Sequence, residues 1–163
     1  MIEGRGGKEF SSPFPFFRMM TRMVSMKNIT RFGVSLEETL LQRFDDHIRR
    51  KNYTNRSEAI RDLIREELVR EEWEQNSEVT GAITLVYDHH HRELVTRLLD
   101  IQHDYHHIIF SSQHIHLDHN NCLEIIVARG NAAMINELYG KLRAIKGVSH
   151  TSFAMATTGK ITD

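Results

Sequence analysis

Residues 113–122 read QHIHLDHNNC and end on the only cysteine of the chain. On an extended strand, His114 and His116 face the same way, about 7 Å apart, while Ile115 and Leu117 face the other. A tight return through His119, Asn120 and Asn121 brings Cys122 back beside them, so two imidazoles and a thiolate are expected to converge. That donor set is borderline to soft and suits late first-row metals rather than magnesium or calcium. The fourth donor should be a further histidine. His103, where a helix gives way to the strand, is the choice, with His89, His90, His91, His106 and His107 as competitors. Single histidines are usually solvated and a single buried cysteine is usually packing. On that ground His89–His91 read as solvated residues at a strand end, His119 as a turn residue, and His47 and His150 as structural. The combination of His114, His116 and Cys122 is the sharper signal. Spacing does not decide the metal: a tetrahedral site favours zinc, a square-planar one nickel(II) or copper(II).

The elements that must position these groups follow from hydrophobic periodicity. Ala82–Asp88 is an apolar strand, and Arg92–Tyr105 a helix carrying Leu94, Val95, Leu98, Leu99 and Ile101. Ile108–Asp118 and Cys122–Arg129 form a hairpin. Ala132–Lys146 is a helix stopped by Gly147, and Val148–Thr157 a last strand. The order β-α-β-β-α-β predicts a ferredoxin-like α+β domain over 82–157, with helices on one face of an antiparallel sheet and a short tail at 158–163.

Upstream the pattern changes. Ile29–Ser35 reads as a short strand with no second strand nearby. A helix follows from Leu36 to about Asn52, with Ser35 and Glu38 in a capping-box spacing. After YTNRS, Asn55 or Ser57 caps a second helix that places Ala59, Ile60, Leu63, Ile64 and Leu68 on one face. NSEVTG suggests a hinge at 77–81. A β-α-α unit over 29–76 is too small to bury a core alone, and its orphan strand exposes unpaired backbone groups. Pairing of two copies through that strand answers both problems. The resulting ribbon fits the DNA major groove, with Arg31, Gly33 and Ser35 toward base edges and Phe32, Val34 and Leu36 toward the helices. The amides at Asn55, Arg56 and Ser57, opening the second helix, suit a phosphate. Spacing alone leaves open an ordinary edge strand with a solvated arginine.

Two stretches resemble known families. RFGVSLEETLL together with NYTNRSEAIRDLIREEL resembles the ribbon-helix-helix DNA-binding module. YDHHHRELVTRLLDIQHDYHH followed by QHIHLDHNNCLEIIVARG resembles the metal-binding domain of the nickel-responsive regulator (NikR) family, whose regulatory domain is ACT-like. The resemblance covers roughly residues 29–155. It implies nickel(II), one ion per subunit, in a planar site made by His114, His116 and Cys122 of one chain with His103 of its neighbour. It implies a homotetramer, with a core of four regulatory domains flanked by two DNA-binding dimers gripping palindromic half-sites of a double-stranded operator. It also implies a second cation, potassium, near Glu58 and Asp62, and a phosphate contact near Arg92. His91 stands where the family pattern has lysine. Helix spacing alone reads Glu58 and Asp62 as solvated charge.

The totals agree with a protein of this kind. The 163 residues carry a net charge of -1, but residues 1–56 hold eleven Lys+Arg against six Asp+Glu. A basic front end fits nucleic acid. No run of ~18 apolar residues exists, so no membrane span is expected. A single cysteine fits a reducing cytoplasm. The first 28 residues include SPFPFFRMM and IEGR, show no apolar signal core, and are expected to be a disordered arm. The functional expectation is a nickel-responsive regulator that represses nickel uptake genes. The alternatives are a zinc, copper or cobalt sensor, a small-molecule-responsive ACT regulator, and a metalloenzyme. The last is disfavoured because four protein ligands leave no substrate position.

Overall fold

The computed structural model describes residues 30–159. The expected arm at 1–28 and the last four residues of the expected tail lie outside them. The chain divides into two units, one ending at Glu37 and the other beginning at Glu38.

In the first unit, residues 30–37 are exposed and belong to no helix or strand. The strand expected at 29–35 is therefore not formed within one chain. The reason is physical: a β-strand exists through its ladder, and this segment has no partner strand among the described residues. Phe32 and Val34 are 70% and 57% exposed in this segment.

The second unit opens with α1 (Glu38–Lys51) and α2 (Arg56–Glu74). Helix α1 starts two residues later than the expected Leu36. The turn between the helices is made by Asn52 in the left-handed region (φ 57°), a conformation that asparagine tolerates. Asn55 caps α2, its side-chain oxygen accepting from the Glu58 amide at 2.9 Å. Arg56 reaches back to α1 and makes two 2.8 Å hydrogen bonds to Asp45. Helix α1 buries no residue, and Leu63 and Ile64 of α2 stay exposed. Only Ala59 and Trp73 of α2 are buried.

The remainder runs β1 (Glu78–Asp88), α3 (Arg92–Asp104), β2 (Ile109–His116), β3 (Asn121–Asn131), α4 (Ala132–Arg143) and β4 (Val148–Ala156). The sheet order is β2-β3-β1-β4, every pairing antiparallel. This is the expected ferredoxin-like layout. One boundary moves: β1 begins at Glu78, so residues 78–81, expected as hinge, are strand, and the break after α2 shrinks to Gln75–Ser77. Strict alternation of burial along β1 and β3 directs Val79, Ile83, Leu85 and Ile126 onto Leu94 and Leu98 of α3 and Ile135, Leu138 and Leu142 of α4. Each such side chain contributes about 1.5–3 kcal/mol by leaving water. Helix α4 ends at Arg143 with Ala144 as its C-cap, three residues short of the expected Lys146, and Gly147, at φ 104°, lies in the turn that leads into β4 rather than at the helix end. Among the described residues, no helix is long and apolar enough to cross a membrane.

Candidate metal centre

The site lies at one end of the sheet, on the face that packs against the helices. Strand register builds it. β2 and β3 set His116 opposite Cys122 and His114 opposite Glu124. β1 and β3 set Tyr87 opposite Cys122. The hairpin closes through Asp118, whose carboxylate accepts from the Asn120 and Asn121 amides at 2.8 Å each and from the Asn121 side chain. The Asn121 side-chain hydrogen bond is the main reason the Asp118 carboxyl titrates below its usual range.

Cys122 is fully buried. Its Sγ lies 3.2 Å from His116 Nδ1 and 3.2 Å from His89 Nδ1. The ligand atoms of His89, His116 and Cys122 all fall within 4.8 Å of one another. Donors held about 2.0–2.3 Å from one ion sit ~3 Å apart, so this trio has the spacing and chemistry of a transition-metal site. Burial pushes the Cys122 thiol up, and the charges of Asp118, Asp88 and Glu124 push it the same way. A cation would reverse that balance and favour the thiolate.

His114 stands beside His116, ring centroids 5.0 Å apart. Its Nδ1 is 3.2 Å from the Tyr87 hydroxyl, and that hydroxyl donates to Glu124 at 2.9 Å. Glu124 is the one buried charged residue among those described. It accepts two further hydrogen bonds, from Gln102 and Ser112, each at 2.8 Å. Tyr87 is held far above the usual phenol range, by burial first and the Glu124 bond second. A buried carboxylate thus anchors one residue from each of β1, α3 and β2 directly beneath the histidines. Glu124 alternates with Cys122 onto the same face of β3, but local spacing does not show which side chains meet it.

His103 lies in the last turn of α3, exposed, with its ring stacked on His106 at 5.8 Å. It is not among the groups that converge within one chain. His89 is, although its sequence position reads as a solvated strand end. The available signal was strand parity: His89 follows Tyr87 by two residues, and Tyr87 pairs with Cys122. His90 turns away, its Nε2 lying 3.0 Å from the His119 carbonyl. Asp88, His89 and His90 form a second close donor group.

On the DNA-binding side, Arg31, Gly33, Ser35, Asn55, Arg56, Ser57 and Arg92 are all exposed. The Arg56 and Ser57 amides have no acceptor among the described residues, as the first amides of a helix should. Glu58 carries ion pairs from Arg61 at 2.5 Å and Arg65 at 3.8 Å. Asp62 accepts from the Tyr53 hydroxyl at 2.5 Å, and this bond raises Tyr53 to about 12.

Helical pair and histidine-rich sheet together define a class: a DNA-binding module joined to a regulatory domain with a transition-metal site. Residues 30–71 match the ribbon-helix-helix protein, copG family, and residues 80–156 match the NikR C terminal nickel binding domain. A relative from Syntrophus aciditrophicus (strain SB), described as a nickel-responsive regulator, is 57% identical over 136 residues, spanning 83% of this chain and 99% of its own. One from Chlorobium phaeobacteroides, described likewise, is 54% identical over 81% of this chain and 98% of its own. The chain belongs to the nickel-responsive regulator family. It is a metal-binding transcriptional regulator rather than an enzyme.

Proposed function

We propose that this protein binds one nickel(II) ion per subunit through His114, His116 and Cys122, completed by His103 of a neighbouring copy, and that the loaded protein represses nickel uptake genes. The observation that carries the reading is the buried Cys122 thiol 3.2 Å from the His116 imidazole, with His114 alongside; His89, also 3.2 Å from the thiol, stands outside this ligand set. In the metal-free chain the Tyr87 hydroxyl, anchored on Glu124, holds the His114 ring beside His116, where it would serve as a ligand. Cys122 gives up its proton on loading, so the apo and loaded states differ in local charge. Nickel supplies a centre that prefers one arrangement of the subunits, and a ligand shifts an equilibrium only by such a preference.

One feature supports assembly. Phe32, Val34, Leu36, Leu40, Leu63 and Ile64 are exposed apolar side chains of the β-α-α region, and a second copy would cover them. The pairing makes the expected ribbon, with Arg31, Gly33 and Ser35 toward base edges and the Arg56 and Ser57 amides toward phosphate. The full assembly is a tetramer of two such dimers on palindromic half-sites, acting on DNA in the cytoplasm. Potassium at Glu58 and Asp62 belongs to the DNA-bound state, because Arg61 and Tyr53 occupy these carboxylates in the free chain.

The three-donor set within one chain also suits zinc, copper or cobalt, which is the second reading. One experiment separates them. Operator fragments are shifted in a gel while nickel and zinc are titrated in parallel, and the absorption spectrum of each loaded protein is recorded. Nickel alone inducing the tight complex supports the first reading; zinc doing so at lower free concentration supports the second.

A further inference from the structure

Helix α3 meets its own domain along one stripe. At about 100° per residue, Leu94, Leu98, Gln102 and Tyr105 fall on the same side. Leu94 and Leu98 are buried, Gln102 donates to Glu124 at 2.8 Å, and Tyr105 is 8% exposed. His103 comes about 100° after Gln102 and about 160° from Tyr105. It is carried off the stripe and stays exposed. The rotation that seats α3 on its own sheet thus keeps His103 away from the buried floor beneath its own His114.

Tyr105 secures the end of this helix. Its amide donates to the Ile101 carbonyl at 3.1 Å, and its carbonyl accepts from the Ile108 and Ile109 amides at 3.0 and 3.2 Å. One residue therefore closes α3 and sets the turn into β2. Its ring belongs to the buried cluster, and the Lys141 Nζ of α4 lies 4.9 Å from the ring centroid, a cation–π distance. Lys141 also pairs with Glu137, one helical turn earlier, at 3.1 Å. The Tyr105 hydroxyl first, and Lys141 second, hold the Glu137 carboxyl below its ordinary range. Tyr105, Glu137 and Lys141 form a clasp between the end of α3 and α4. Beyond the turn, the Ile108 carbonyl accepts from the Arg129 amide at 2.8 Å. Gly130 leaves room for Ile108, since a Cβ there would lie 2.9 Å from its side chain.

His103 stands two residues before the clasp. Its carbonyl accepts from the His106 amide at 3.2 Å and lies 2.8 Å from His106 Nδ1. Where its imidazole can reach is set by where the end of α3 is held.

We propose that Tyr105 is the positioning residue for His103: in the nickel-loaded assembly its clasp with Glu137 and Lys141 seats the end of α3 on α4 and presents His103 to the metal centre of the neighbouring copy. This role rests on the reading that His103 completes that centre in trans. Without the clasp, the ion alone would have to order the helix end, and nickel affinity would fall by the free energy of that ordering.

Tyr105→Ala, Tyr105→Leu, His103→Ala and the two doubles with His103→Ala are made in the full chain. Nickel affinity is measured by isothermal titration, the loaded proteins by absorption spectroscopy, and the metal-free proteins by thermal melts that establish the fold. His103→Ala should weaken nickel binding and change the spectrum, because a nitrogen donor is lost. Tyr105→Ala should lower nickel affinity by about 10–100-fold, the usual effect of disturbing groups that orient metal ligands, and Tyr105→Leu, which keeps apolar bulk without ring or hydroxyl, by about tenfold. In the His103→Ala background either Tyr105 substitution should change the affinity by less than about twofold, because its effect passes through His103. If Tyr105→Ala does not fold, Tyr105→Leu decides. A role in packing alone would weaken binding equally with and without His103, so equal losses in the two backgrounds would overturn the positioning role. His103→Ala with parental affinity and spectrum would overturn both the trans-ligand reading and this one. A weakened His103→Ala beside Tyr105 variants of parental affinity overturns this one alone.

Discussion

The β-α-α region and the βαββαβ region differ in how much of their structure one chain completes. The second closes its own core: Ile83, Leu85, Leu98, Ile126, Ile135, Leu138 and Leu142 are all essentially inaccessible. The first leaves Phe32, Val34, Leu40 and Ile64 at 70%, 57%, 52% and 48% exposure, and α1 buries nothing. The contrast teaches where each activity can reside. Three metal donors are brought together by contacts within one chain. The apolar side chains of the first region are left uncovered by one chain, so under the proposed pairing its DNA-reading surface would depend on a second copy.

Changes confined to one region should therefore leave the fold of the other intact, and the strongest test comes at the thiol. Cys122→Ala should weaken nickel binding by two orders of magnitude or more and remove nickel-dependent operator binding, while circular dichroism shows the fold retained. The substitution takes away the only sulfur donor of the set and leaves a small residue in an apolar position. A Cys122→Ala protein with parental nickel affinity would detach the sheet from metal sensing altogether.

Ile64→Asp probes the other side of the comparison. A charge on the uncovered face of α2 should abolish operator binding and dissociate the β-α-α dimer, as read by sedimentation velocity. Nickel binding should change by less than about threefold if the metal site's three in-chain donors are as independent of that face as their packing implies. Loss of nickel binding in step with DNA binding would show that the two regions are one cooperative unit.

Glu124→Gln should lower nickel affinity by about 10–100-fold, the usual effect of disturbing groups that orient metal ligands. Glutamine brings a donor where Tyr87, Gln102 and Ser112 all donate. Isothermal titration would read the loss, and operator binding at saturating nickel should be near parental.

The mildest perturbation is acidity. Burial keeps the Cys122 thiol protonated at neutral pH, so loading must release its proton. Nickel affinity should then fall about tenfold for each unit of pH lowered. The metal-free fold shows the opposite sense. A thiol whose pKa is raised on folding contributes its stability below the unfolded value and loses it as pH rises through the folded one. Thermal melts of the apo protein should therefore weaken on the alkaline side, above the ordinary thiol value of 9.0. A Cys122→Ala protein should lack that alkaline loss.

Sequence alone determined the local elements and the chemistry they carry. A period of two marks the strands and a period of 3.6 the helices, because each reflects which face a side chain takes along its own element. That was enough for the β-α-β-β-α-β order, a cap at Asn55 or Ser57, and the parity that puts His114 and His116 on the face of Cys122. What only the tertiary structure decided are the meetings between distant elements. The β1–β3 register carries His89 to the thiol, three side chains converge on Glu124, Trp73 of α2 joins the sheet's core, and residues 78–81, expected as hinge, are strand. Register and docking are set by the simultaneous burial of faces from elements tens of residues apart, and no local period encodes which of several compatible pairings buries the most.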